Sequence, residues 1–274
     1  MGFLDLLSLS IILLYFSGTL VYLGGVLGQK AFLQRAALIL TVLGFGLHTL
    51  DLFINLAGPG NTLYQGKFYF SLLAWTLLLI YLLMAWRLKT QFLALTAAPL
   101  ALILFSSSLT VSTEQLAIPP LLSLLWFGLH IGTLFAAIAL LGTAFGAGVA
   151  YLYLDKKIKN KSKLLGWTSQ IPSLTSFDRV NHFAVSIGFP LYTLGLLSGF
   201  IWAKLTWKTV FTWDPKEVAT LAIWFCFAYL FYQRVGLGWK GRKPAKLAIW
   251  VFVLTLISLV GINFLLPTHH SFRP

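Results

Sequence analysis

Apolar stretches long enough to cross a ~30 Å hydrocarbon layer as helices recur from one end of the chain to the other. They predict spans near 4–27, 35–56, 68–87, 90–110, 121–154, 183–203, 217–236 and 245–266. The composition agrees: 58% of the 274 residues are hydrophobic and 10% charged, where a soluble domain carries about 25% charged residues. The first stretch lacks the basic start and small-residue cleavage site of a signal peptide, so it counts as a helix. The short alternating segments of a β-barrel are missing. The expectation is an all-α integral membrane protein of about eight transmembrane helices, with residues 1–274 forming a single polytopic domain.

Charge sets the orientation. The net charge of +13 invites a nucleic-acid reading, but fifteen of the twenty Lys and Arg lie in alternate loops, after the first, third, fifth and seventh spans. The largest groups are Lys156, Lys157, Lys159, Lys161, Lys163 and Arg179, then Arg234, Lys240, Arg242, Lys243 and Lys246. The positive-inside rule makes these loops cytoplasmic, and both termini extracytoplasmic. The basic excess is a topology signal whose partner is the lipid bilayer, not nucleic acid. One cysteine, Cys226, excludes an internal disulfide or a C-x-x-C redox pair.

Five histidines are present, and the topology sorts them. The fifth apolar run, Leu121 to Leu154, exceeds what a membrane needs, so His130 sits beyond the outer boundary on a projecting helix. His269 and His270 end the eighth span on the same side. Between them in sequence lies an outer loop with Trp202, Trp207 and Trp213. Two histidines flanking an aromatic surface suit haem, a flat apolar disc whose iron takes neutral imidazoles above and below. Lys204, Lys208 or Lys216 could meet its anionic propionates. The same residues have plainer readings. Tryptophans form the usual belt at a membrane surface, and Asp214-Pro215-Lys216-Glu217 has the form of a capping box opening a helix.

Gly188-Phe189-Pro190, Gly199-Phe200-Ile201-Trp202-Ala203, Trp207 and Trp213-Asp214-Pro215-Lys216-Glu217 together resemble the tryptophan-rich signature of the CcsA/CcmC haem-handling family. The likeness continues through Gly238-Trp239-Lys240-Gly241-Arg242, Gly261-Ile262-Asn263-Phe264-Leu265 and His270-Ser271-Phe272. It is good over 126–272 and looser before that. It implies a haem-presenting outer loop at about 199–217, with haem b held between His130 and His270 against Trp202, Trp207, Trp213 and Asp214. It further implies an apocytochrome c as recipient, a CcsB/ResB-type membrane protein as partner, and a bacterial inner membrane as the setting. No side chain stands out as a catalytic acid or nucleophile, so any enzymatic role would be as a component of a cytochrome c synthase complex.

Departures from the pattern are informative. Val210-Phe211 replaces an expected aromatic pair, and Tyr232 stands where typical CcsA proteins carry a haem-ligating histidine. Tyr232-Gln233-Arg234 is closer to HemX-type relatives, which makes a membrane regulator of tetrapyrrole synthesis the alternative function. His182 stands where the pattern has tyrosine, as though ligand and neighbour had been exchanged across an inner site, so His182 and Tyr232 are candidates for a second haem. His48 lies within the second span with Asp51 at i,i+3, on the same helix face. That makes His48 a candidate site residue with Asp51 as its orienting partner.

Overall fold

The computed structural model describes residues 2–28, 30–58, 66–88, 91–110, 126–160, 173–211 and 213–262. Among these residues the chain is helical throughout, with short connections and no strand. It divides into two compact units, one built from residues 1–117 and 161–171, the other from 118–160 and 172–274.

The first unit contains α1 (Phe3–Leu27), α2 (Ala31–Ala57), α3 (Gly66–Leu88) and α4 (Ala94–Ser108). The connection from α1 to α2 is short, so the two pack side by side along most of their length. Between apolar helices in lipid, association comes from close van der Waals packing and interhelical hydrogen bonds. Here α1 and α2 approach through glycine. A Cβ on Gly25 would lie 2.9 Å from the Gln34 backbone nitrogen, and one on Gly44 2.7 Å from the Tyr15 ring. Three of the four helices meet at a polar knot. His48 of α2 is fully buried, with Nδ1 3.0 Å from the Tyr15 hydroxyl of α1 and Nε2 2.9 Å from Ser71 Oγ of α3. The Phe105 ring of α4 packs edge-on against the imidazole at 4.6 Å.

In the second unit, α5 (Thr133–Lys159) follows directly from a π-helical turn, Trp126–Gly132. The run from Trp126 to Lys159 is therefore ~50 Å long, well beyond the ~30 Å of hydrocarbon. α6 (Leu174–Trp207) is a single helix of 34 residues. Ser173 opens it by accepting the Ser176 N–H at 3.2 Å. α7 (Pro215–Phe231) passes into a π turn, Tyr232–Gly236, and α8 (Arg242–Leu256) into another, Ile257–Ile262. Small residues of α5, including Ala137, Ala144, Ala147 and Gly148, are buried. α5 runs against both α6 and α8.

Among the described residues, six helices are long and apolar enough to cross a membrane: α1, α2, α3, α5, α6 and α7. The chain is a multi-pass membrane protein. The fourth expected span is a shorter apolar helix, ended where the Ser108 and Thr110 hydroxyls donate to the Phe105 and Ser107 carbonyls. The eighth begins with Arg242, Lys243 and Lys246 in its first turns.

One end of the second unit is locked electrostatically. Arg234 has a side chain only 1% exposed. Its Nη1 donates to Asp178 Oδ1 at 2.9 Å and to the Trp239 carbonyl at 2.7 Å, and its Nη2 to the Asp178 carbonyl at 2.6 Å. Asp178 Oδ1 also accepts the Gly241 N–H at 2.8 Å. The start of α6, the end of α7 and the turn before α8 are thus tied at one carboxylate. Nearby, Arg242 pairs with Asp155 of α5.

Two stability differences follow. Asp178→Ala leaves Arg234 charged, buried and unpaired, and is expected to cost about 3–5 kcal/mol. Arg242→Ala removes a half-exposed partner and should cost less than about 1 kcal/mol. Thermal unfolding in detergent compares the two, and equal losses would contradict the lock. Tyr15→Phe strips His48 Nδ1 of its partner and should lower stability by about 1–2 kcal/mol in the same assay.

Candidate functional site

His130 lies in the π turn that precedes α5 and is half-buried. π turns within longer helices frequently accompany functional sites. Its Nδ1–H donates to the backbone carbonyl of Gly195, in α6, at 2.7 Å. A carbonyl can only accept, so Nδ1 carries the proton and the neutral ring's lone pair is on Nε2. This is the arrangement metal-binding histidines commonly show, with one ring nitrogen held by a backbone carbonyl and the lone pair placed on the other. His130 thus fits the role of a neutral axial ligand.

The aromatic segment is arranged differently from the expected loop over 199–217. Nothing in Gly199–Trp207 breaks a helix, so α6 continues through Trp207 and ends at Lys208, which is left-handed at φ 62°. Trp202 belongs to the helix and is buried. It stands seven residues after Gly195, on the face that receives His130. Trp207 is the last residue of α6, and its side chain lies outside the described residues. The connection itself displays Trp213. That residue is 79% exposed and has φ 61°, a conformation uncommon for any residue but glycine. Phe211 packs edge-on against Trp213 at 5.0 Å and lies 6.4 Å from Phe200, linking the displayed ring back to α6.

Asp214 is buried. Its Oδ1 accepts the Lys216 N–H at 2.9 Å and its carbonyl the Val218 N–H at 3.1 Å. It caps α7 with Pro215 at the first helical position, as the capping reading of this segment anticipated. Below it, Trp224 Nε1 donates to Thr193 Oγ1 at 3.0 Å, and the Phe189 ring meets Trp224, Phe227 and Phe231, so α6 and α7 are joined by aromatic contacts.

The remaining candidates are dispersed. His269 and His270 lie outside the described residues. His182 and Tyr232 are both exposed, and no hydrogen bond or ring contact joins them; the Tyr232 ring lies instead against Gly236 of its own turn. The exchanged pair is therefore not assembled as a site in this structure, because the two side chains point outward from their helices. His48 is oriented by Tyr15 and Ser71, not by Asp51. Asp51 is buried one turn along the same helix, where its backbone carbonyl accepts from Asn55. Among the described residues no three of His, Cys, Asp and Glu gather as a metal site.

Sequence reasoning singled out His130 but not what holds it. The signal was the glycine spacing in α6. Gly188, Gly195 and Gly199 recur at intervals that place them on one helix face, and that face meets α5.

Known proteins resemble the chain over most of its length. The profile of the family described as Cytochrome C assembly protein matches residues 66–270, a range that takes in α3 to α8. Curated relatives described as cytochrome c biogenesis protein CcsA align over most of the chain. That of Pyropia yezoensis is 28% identical over 282 residues, covering 88% of this chain and 88% of its own length. That of Prochlorococcus marinus strain MIT 9301 is 28% identical over 278 residues, covering 92% of this chain and 88% of its own. That of Heterosigma akashiwo strain NIES-293 is 29% identical over 248 residues, covering 78% and 76%. With three quarters of its length matched by the family's profile, and with the histidine and tryptophan signature inside that match, the chain belongs to the cytochrome c assembly protein family.

Proposed function

We propose that this protein binds haem in the membrane and presents it at the extracytoplasmic face for attachment to an apocytochrome c. The observation that carries the reading is the His130 imidazole, held by the Gly195 carbonyl in its ligand-competent tautomer, on the helix face that continues to Trp202. In this reading the chain crosses the membrane eight times, both termini face outward, and His130 and His270 would hold the haem iron. Bound haem b supplies a redox-active iron and the vinyl groups to which cysteine thiols of the apocytochrome become joined.

The chain's own residues supply position. Gly195 orients His130, Trp213 offers an exposed apolar ring to a flat ligand or to the recipient, and Asp214 caps α7 so that the connection is fixed next to that ring. Trp202 lies buried on the face of α6 that receives His130, and Lys204, Lys208 and Lys216 place positive charge around the connection between α6 and α7 for carboxylates. A CcsB/ResB-type membrane protein is the partner in this reading, and a bacterial inner membrane its setting. Such a protein is an assembly component whose chemistry is shared with partner and recipient.

The test is the optical spectrum of the full chain in detergent, oxidised and reduced, beside a His130→Ala/His270→Ala double variant. The expected parent spectrum is six-coordinate and low-spin, and the variant should lose or convert it. If the spectrum is unchanged by the double substitution, or no haem is held even after reconstitution with haem b and the natural partner, the haem-presenting reading fails. The regulatory role in tetrapyrrole synthesis then takes its place.

A further inference from the structure

α6 is a costly place for glycine. Each one in a helix interior gives up about 1 kcal/mol relative to alanine, yet α6 carries Gly188, Gly195 and Gly199 on one face. All three are matched to α5 or to the turn before it, in antiparallel order. A Cβ on Gly188 would lie 3.3 Å from the Leu140 Cβ. One on Gly195 would lie 2.6 Å from Leu134 Cγ and 2.9 Å from Thr133 Oγ1. One on Gly199 would lie 2.6 Å from Cε1 and 2.9 Å from Nδ1 of His130, and its three nearest atoms all belong to that ring.

We infer that Gly199 and Gly195 are positioning residues for His130, one providing the space the imidazole occupies and the other the carbonyl that sets its tautomer. The inference rests on the reading of His130 as an axial haem ligand. A methyl group at 199 and the present ring position are incompatible. The ring cannot simply move aside, because a shift large enough to clear the methyl breaks the 2.7 Å bond from Nδ1 to the Gly195 carbonyl. That carbonyl also accepts the Ser198 hydroxyl at 2.8 Å. The ligand is thus fixed on two sides by backbone, one turn of α6 apart. Side chains that orient a metal-bound histidine elsewhere are replaced here by a carbonyl and the absence of a Cβ. The strength and angle of ligation are set by how closely α5 and α6 approach.

The experiment uses the full chain in detergent, titrated with haem b and read by its spectrum and affinity. Gly199→Ala should lose the low-spin form and hold haem about 10- to 100-fold less tightly. Gly46→Ala, whose added Cβ meets no atom within 4 Å, should behave as the parent. His130→Gly empties the space that the methyl would invade. The double variant His130→Gly/Gly199→Ala should therefore match His130→Gly, and added imidazole should restore the low-spin form in both. If Gly199→Ala does not accumulate, the double variant should still accumulate as His130→Gly does. The inference is overturned if Gly199→Ala keeps the parental spectrum while His130→Gly loses it. It is equally overturned if the alanine weakens binding or accumulation as much without the imidazole as with it. A parental spectrum in His130→Gly removes the ligand reading itself, and this inference with it.

Discussion

The close approach of α5 and α6 is the contact on which the second unit's arrangement depends. Lipid tails are as apolar as the helix surfaces they meet, so two such helices gain little from burying leucine against leucine. They gain from short distances, and those require small residues. Gly188, Gly195 and Gly199 on α6 and buried alanines on α5, such as Ala137, supply them. Once the backbones are that near, a carbonyl of one helix can receive an imidazole of the other. The polar contact at His130 is a product of the packing.

At the opposite end of α6 the logic changes from distance to charge. Arg234 is buried with its guanidinium bonded to the Asp178 side chain, the Asp178 backbone and the Trp239 backbone. Burying such a pair is rarely a gain in stability over apolar residues, but breaking it is expensive. Its effect is to specify one geometry for the start of α6, the end of α7 and the turn before α8. The first unit uses a neutral version of the same device, with Tyr15, His48 and Ser71 joining three helices through hydrogen bonds that have few competitors in an apolar interior.

What could be read in the sequence divides along the reach of the interactions. Six of the eight expected spans were legible because the thickness of a bilayer is imprinted on run length, and the cap of α7 because Asp214 acts on a residue two positions away. The overlong fifth run was legible as one long helix, from Trp126 to Lys159. Contacts between helices were not legible. Asp51 was the nearest ionisable neighbour of His48 in sequence, but the imidazole turns to Tyr15 and Ser71, 33 and 23 residues away. The continuation of α6 through Trp207 was missed for a different reason. A cluster of tryptophans suggests a surface loop, while the absence of any helix breaker from Gly199 to Trp207 decides the backbone. The outward orientation of His182 and Tyr232 depends on helix rotation, which a single residue exchange does not report.

Trp213 sits at a left-handed backbone angle with most of its ring in the open. Glycine would adopt that angle at no steric cost, so conformational stability alone would select against an indole at this position. The loop is therefore a compromise between two selections that act on one residue: the backbone favours the smallest side chain and the surface presents the largest. Any gain in the thermal robustness of this turn through a smaller residue would come at the expense of its aromatic face.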